Sequence, residues 1–533
     1  MNREVISTVS GLPFAYNLDL DVTRLVDGDG SNVDSEIIQG HLIYSFVVHH
    51  PTIFVELNAQ DMIISNSKLL NLSGEIIAAE ENSEIKVQNN ENTNTYLFTF
   101  ESTLPEEELK LELDFTYKLK NSPIGHYGSY QGGKRMCSTK FEPTFARLAF
   151  PCVDQPNSKA IFTIQILHTC DKIAVSIMPV QSMNTGLGEE GKWTKTIFQQ
   201  TPKLSTYIVA WVVGEFEYIE GFYESVPIRI YTEKGMKLQA LYSLTLVYKA
   251  IQILTEYTQI PIPLPKIDLI VVPKLKAGAM ENWGLQTLLI DYQSSYSEKF
   301  GIANTIFHEF AHYWFGNFVT MVWWNELYLN EGFAVFFASY VQDKLQSNQD
   351  IWNISFNLLH LNPALEFDTQ EDETHPIICP IVQAKDDDSI FDNISYSKAG
   401  VIIKMFHDKI GEENFKKGIR NYLQKHQYGN ATTAVLQEAL IEASGMQDLP
   451  LKMKSWLEKM KEKEDQIQID EDKQTIWWIP ITVIVKWEGI NEVNYINIEL
   501  EQKQMELQII PPDPDKKLLW IKLNQDQKGY YRK

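Results

Sequence analysis

The chain has 533 residues, of which 44% are hydrophobic and 22% charged, and carries a formal net charge of −23. That length exceeds what one compact core supports, so roughly two to four domains are expected. The acidic balance excludes a nucleic-acid-binding role, because phosphate contacts need a basic face, and suits recognition of cationic groups such as peptide N-termini.

The opening stretch "MNREVISTVSGLPFAYNL" has no continuous apolar run, and no later segment reaches the roughly 18 uninterrupted apolar residues that a spanning helix needs. No membrane span is expected. The compartment expected from this is cytoplasmic, with a membrane-associated or extracellular location as the alternative if an N-terminal segment is missing. Cys137, Cys152, Cys170 and Cys379 are scattered without CxxC spacing, which argues against a zinc ribbon or disulfide scaffold while leaving individual bridges open.

Residues 1–224 read as strands and predict an antiparallel β domain. "KLELDFTYKL" alternates Leu111, Leu113, Phe115, Tyr117 and Leu119, the period of a half-buried strand. "YNLDLDV", "HLIYSFVV", "TYLFTF", "AIFTIQI" and "STYIVAWVV" read similarly. From 225 to 464 the pattern turns helical: Leu241, Leu244, Tyr248, Ile251 and Leu254 recur at helical spacing, followed by "IPIPLPKIDLIVVP", a Pro-rich turn and an apolar strand. Helices are predicted over "ANTIFHEFAHYWF", "EGFAVFFASYVQDKL", "AGVIIKMFHDKIG", "ENFKKGIRNYLQKH" and "TAVLQEALIEAS", with Gly316 and Gly411 ending theirs. Residues 465–533 predict a charge-dense linker, within "EKMKEKEDQIQIDEDK", and then a small β-sandwich of strands at "IWWIPITVIVKW", "VNYINIELE", "MELQII", "LLWIKLN" and "GYYRK".

Within the helical part, "IFHEFAHYWFGN" sets His308 and His312 four apart, stacked on one helix face, with Glu309 between them. Two such imidazoles can hold one zinc beside a carboxylate able to act as general base; two ordinary helix histidines are the plain alternative. Zinc needs a further protein ligand, and "YLNEGFAVFFASY" offers Glu331, separated from His312 by eighteen intervening residues. Alone, Glu331 reads as a solvated first-turn glutamate favoured by the helix dipole. The joint pattern favours one Zn2+ per chain, with an acidified water as nucleophile.

"HEFAH" followed by "NEGFA" and preceded by "GAMENWG" (Gly278 to Gly284) resembles the zinc aminopeptidases of the aminopeptidase N family, among the gluzincins. "STKFEPTFARLAFPCVDQPNSKA" (Ser138 to Ala160) is most similar to the oxytocinase branch, which includes the endoplasmic-reticulum aminopeptidases. "WIKLNQDQKGYYR" resembles the strand pair closing that family's third domain. The resemblance implies a thermolysin-like α+β zinc catalytic domain between the two β domains, and hydrolysis of the N-terminal residue from peptides. It also implies Tyr396 in "FDNISYSKAG" as oxyanion donor and Glu281 as the anchor of the substrate's free ammonium. Gly278, Ala279, Met280 and Asn282 would then line the substrate, which can lie alongside exposed backbone as an added strand.

Lys140 stands where that branch usually has Gln or an acidic residue, predicting a preference for acidic N-terminal residues; a lysine reaching out to solvent is the alternative. Glu326 is a candidate support for a ligating histidine, with a solvated helix-end charge as the equal alternative, and His375 reads as structural. Tyr313, Tyr328, Gln155 and "SKAG" are smaller departures that remove no group the chemistry needs. Family members continue into a long helical domain that cups the site, whereas this sequence stops at Lys533, predicting an open, wetter cleft. Hence the alternative of a catalytically weak or inactive peptide-binding protein; epoxide hydrolysis, known in the wider family, is a third reading without its own signal. Oligomeric state and the physiological peptide have no sequence signal.

Overall fold

The computed structural model describes residues 11–25, 36–289, 296–346, 350–370, 374–381, 390–458, 477–490, 492–502, 505–513, 515–524 and 529–531. These fall into two compact units, one of Met1–Tyr248 with Pro261–Tyr313 and one of Lys249–Ile260 with Trp314–Lys533. The charge-dense segment expected as a linker lies almost wholly outside the described residues.

The first unit is β-rich, as expected, with an eight-stranded, a four-stranded, a five-stranded and a three-stranded sheet among its described residues. The strand Glu108–Lys118 buries every second side chain, and Leu109, Leu111 and Leu113 are fully buried. That follows from the pleat, which sends alternate side chains to one face. One feature departs from a purely antiparallel domain: Leu12–Asp21 pairs antiparallel with Ile37–Val47 but parallel with Ile161–Thr169. A parallel neighbour needs a long crossover, and the chain between these strands supplies it. "STYIVAWVV" forms a short turn at Thr206–Ile208 before the strand Trp211–Gly214.

The five-stranded sheet positions the site. Its order is Glu217–Tyr223, Val226–Thr232, Ile267–Val271, Leu285–Leu288, Ala279–Met280. Ile267–Val271 lies between two parallel neighbours and is buried throughout, which is why it reads as an unbroken apolar run. Ala279–Met280 is the antiparallel edge strand. The helix Tyr296–Ala311 packs against it.

The second unit contains the helices Glu331–Leu345, Ala399–Ile410, Glu412–Lys425, Thr433–Ser444 and Leu449–Glu458. Gly411, at φ +84°, ends Ala399–Ile410 as expected, because glycine tolerates the left-handed side of the map. Gly316 does not end its helix, which already stops at Ala311. The C-terminal module has one three-stranded antiparallel sheet among its described residues, with Ile479–Trp487 between Asn494–Leu500 and Leu518–Leu523. Val483, Val485 and Trp487 form its core. Residues 505–510 and 529–531, expected as strands, join no ladder. No described helix is long and apolar enough to cross a membrane.

Candidate active site

His308 sits in the last turn of Tyr296–Ala311 and His312 just past its end. The His312 N–H still donates to the His308 carbonyl at 3.3 Å, so the one-turn stacking expected from their spacing holds. Their Nε2 atoms are 3.1 Å apart and their rings meet edge-on at 78°. Ligand nitrogens at about 2.0–2.1 Å on a tetrahedral zinc stand roughly 3.3 Å apart, so this pair fits one metal ion. Glu309 is 6% exposed, and its carbonyl accepts 2.9 Å from Gln286 Nε2, which ties the helix to the strand Leu285–Leu288.

The edge strand Ala279–Met280 is held from behind. Trp283 is fully buried, and Asn282 Nδ2 donates to Thr287 Oγ1 at 3.4 Å. Gly284 has φ +103°, and a Cβ there would meet the Ile177 carbonyl oxygen at 2.3 Å, so only glycine fits. Its carbonyl accepts from Lys266 Nζ at 2.6 Å, within a buried pair whose other member is Asp268, 2.7 Å from Lys266. Gly278 in contrast faces open space, leaving backbone accessible beside the sheet edge.

Glu281 is 3% exposed, and one of its carboxylate oxygens lies within 4.8 Å of one from Glu142. Sequence reasoning missed Glu142. The available signal was its position two residues beyond Lys140, in the turn just past the strand Lys134–Lys140. Lys140 Nζ donates to Glu142 Oε2 at 2.7 Å and to Met280 Sδ at 2.8 Å, with both charged side chains almost completely buried. Lys140 therefore neither reaches out to solvent nor presents an uncompensated charge.

In the second unit, Glu331 is the first residue of Glu331–Leu345 and is 2% exposed. Glu326 Oε1 accepts from the Thr433 N–H at 2.8 Å, which caps the helix Thr433–Ser444. This capping bond gives Glu326 a structural role that its sequence neighbourhood did not reveal. Tyr396 is half-buried in the π-helical turn Ile394–Lys398, a geometry often found at functional sites. Asp392 holds the start of that turn: Oδ1 accepts from the N–H groups of Ile394 and Ser395 at 2.8 and 3.1 Å. Its Oδ2 lies 2.8 Å from His375 Nε2. Burial alone would lower the His375 pKa. The bond to Asp392, a bond to Cys379, the Asp392 charge and the Pro376 carbonyl overcome that and push it up to about 10. His375 is thus structural, as its sequence context indicated.

Two family descriptions match in tandem: "Peptidase M1 N-terminal domain" over residues 12–208 and "Peptidase family M1 domain" over 242–456. The chain belongs to peptidase family M1. Among its relatives is Aminopeptidase M1-C of Oryza sativa subsp. japonica, 34% identical over 94% of this chain and 58% of that protein. Puromycin-sensitive aminopeptidase of Caenorhabditis elegans is 34% identical, over 92% of this chain and 54% of its own length. Alanine/arginine aminopeptidase of Saccharomyces cerevisiae is 37% identical over 70% and 45%. The chain thus spans about half the length of the curated relatives it matches. Peptidases of family M1 are in general zinc-dependent.

Proposed function

We propose that this M1 peptidase is a zinc aminopeptidase that hydrolyses the N-terminal residue from peptides. The observation that carries the reading is the pair of buried carboxylates, Glu281 and Glu142, within 4.8 Å of each other beside an open sheet edge. Two carboxylates in a nearly dry setting suit one substrate ammonium, which gives charge-assisted hydrogen bonds to both.

His308, His312 and Glu331 each offer one ligand atom, and we propose them as the zinc ligands, one ion per chain. Zinc, when bound, supplies an acidified water and polarises the scissile carbonyl. Glu309 would accept the proton of the attacking water and return it to the leaving amine. Tyr396 donates a hydrogen bond to the developing oxyanion. The peptide backbone lies along Gly278, Ala279 and Met280, at the antiparallel edge. Asn282 keeps that edge in register through Thr287.

Lys140 gives a preference for acidic over basic N-terminal side chains, smaller than an uncompensated lysine would impose because Glu142 already neutralises it. The narrower placement in the oxytocinase branch rests on Ser138 to Ala160 alone, and the relatives named above carry other names. The division into 1–224, 225–464 and 465–533 is part of the same proposal.

The test is zinc content and hydrolysis of leucyl-amide by the wild type and Glu309→Gln. Stoichiometric zinc in both proteins with turnover only in the wild type supports the assignment. Stoichiometric zinc without turnover in either makes the chain a peptide-binding protein instead.

A further inference from the structure

The turn carrying Tyr396 is gripped at both ends by ion pairs, partly buried at its start and fully buried at its end. Asp392 with His375 holds its start. At its end, Lys398 Nζ donates to Asp368 Oδ1 at 2.9 Å, with side chains 1% and 0% exposed. Asp368 closes the helix Asn362–Phe367, and its Oδ1 also accepts from Thr374 Oγ1 at 2.9 Å. Its second oxygen accepts from the hydroxyl of Tyr530 at 3.0 Å. Tyr530 belongs to the C-terminal module, more than a hundred residues further along the chain.

Tyr530 is itself fixed. It is 2% exposed, and its ring packs edge-on against Trp456 at 6.1 Å. The Lys398 ammonium sits 5.8 Å from the ring centroid, so one residue contacts both members of the pair. Asn524 and Gly529, the residue just before Tyr530, exchange two hydrogen bonds of 3.0 Å. Trp456 in turn donates to the Trp478 carbonyl at 2.9 Å, beside the first strand of the module.

We propose that Tyr530, through Asp368 and Lys398, is a positioning residue for Tyr396, so that the C-terminal β module sets the geometry of the oxyanion donor. A buried carboxylate that loses one donor is destabilised, and its remaining partners shift to compensate. Here the partner that shifts is Lys398, two residues from Tyr396 in the same tight turn. The inference rests on the oxyanion role proposed for Tyr396.

The experiment compares Tyr530→Phe, Tyr396→Phe and the double variant, using backbone hydrogen exchange and steady-state kinetics. Tyr530→Phe should speed exchange at residues 394–398 roughly tenfold and leave the helix Glu412–Lys425 unchanged, the size set by one buried hydrogen bond. It should lower kcat by about the same factor with KM changed less than about twofold, and add no further loss to Tyr396→Phe. Unchanged exchange at 394–398, or equal acceleration in Glu412–Lys425, overturns the coupling whatever the kinetics. A full further loss in the double variant overturns it as well. Wild-type turnover by Tyr396→Phe instead overturns the role of Tyr396, and with it the positioning role of Tyr530. Should Tyr530→Phe fail to fold, Thr374→Val removes a donor from the other Asp368 oxygen and is read by the same exchange criterion.

Discussion

The ammonium of Lys140 lies 2.7 Å from Oε2 of Glu142, and both side chains are almost completely buried. A lysine that reads in sequence as a specificity charge is, in three dimensions, half of an ion pair next to Glu281. Removing it changes the local balance by one positive charge while leaving two carboxylates in place. Lys140→Gln should therefore shift the ratio of kcat/KM for arginyl- over glutamyl-amide upward by roughly tenfold. Leucyl-amide serves as the neutral reference. An unchanged ratio would mean that Lys140 does not sense the substrate side chain.

Metal dependence follows from the histidine pair. Dialysis against a chelator should abolish hydrolysis, and added zinc should restore it. His312→Ala should lose stoichiometric zinc, since one of the two converging nitrogens is gone. Glu309→Gln should retain zinc yet lose about 10²–10⁴ in kcat, the usual contribution of a general base. Zinc content by elemental analysis separates the two variants.

Loss of either buried carboxylate should weaken recognition of the free N-terminus. Glu281→Gln and Glu142→Gln should each lower kcat/KM on leucyl-amide by roughly 10- to 100-fold, as expected for one charge-assisted hydrogen bond. Glu142→Gln also removes the partner of Lys140, so it should cost thermal stability; a melting curve checks this.

The His375–Asp392 pair predicts an alkaline weakness. The folded-state pKa of His375 is raised to about 10, above the roughly 6.5 of an unfolded histidine. The charged form is thus the one the fold favours. Its stabilisation is complete below about pH 6.5 and disappears as pH rises through about 10. Stability should fall across that window, and His375→Gln should flatten the fall. Denaturant midpoints between pH 6 and 10 measure it, and a wild-type slope retained in the variant would contradict the assignment.

Much of this was legible in the sequence wherever local periodicity or fixed spacing carried the information. The alternation at Leu111, Leu113 and Phe115 and the four-residue spacing of His308 and His312 each translate directly into geometry. Long-range pairing was not legible. Nothing local marks Ile161–Thr169 as a parallel partner of Leu12–Asp21, and nothing near Glu326 marks Thr433 as its partner. The pairing of Lys140 with Glu142 lay only two residues away and was concealed by reading Lys140 as a lone charge. Tyr530 and Asp368 are separated by 162 residues, so their contact appears only when the chain is folded.

The most direct test of the account compares leucyl-amide with N-acetyl-leucyl-amide on protein carrying stoichiometric zinc. Acetylation removes the positive charge while leaving side chain and scissile bond intact, so the comparison reads recognition of the free ammonium proposed for Glu281 and Glu142. The account predicts kcat/KM at least about 100-fold lower for the acetylated substrate, the value of roughly 3 kcal/mol of charge-assisted binding. Equal cleavage of the two substrates would contradict it.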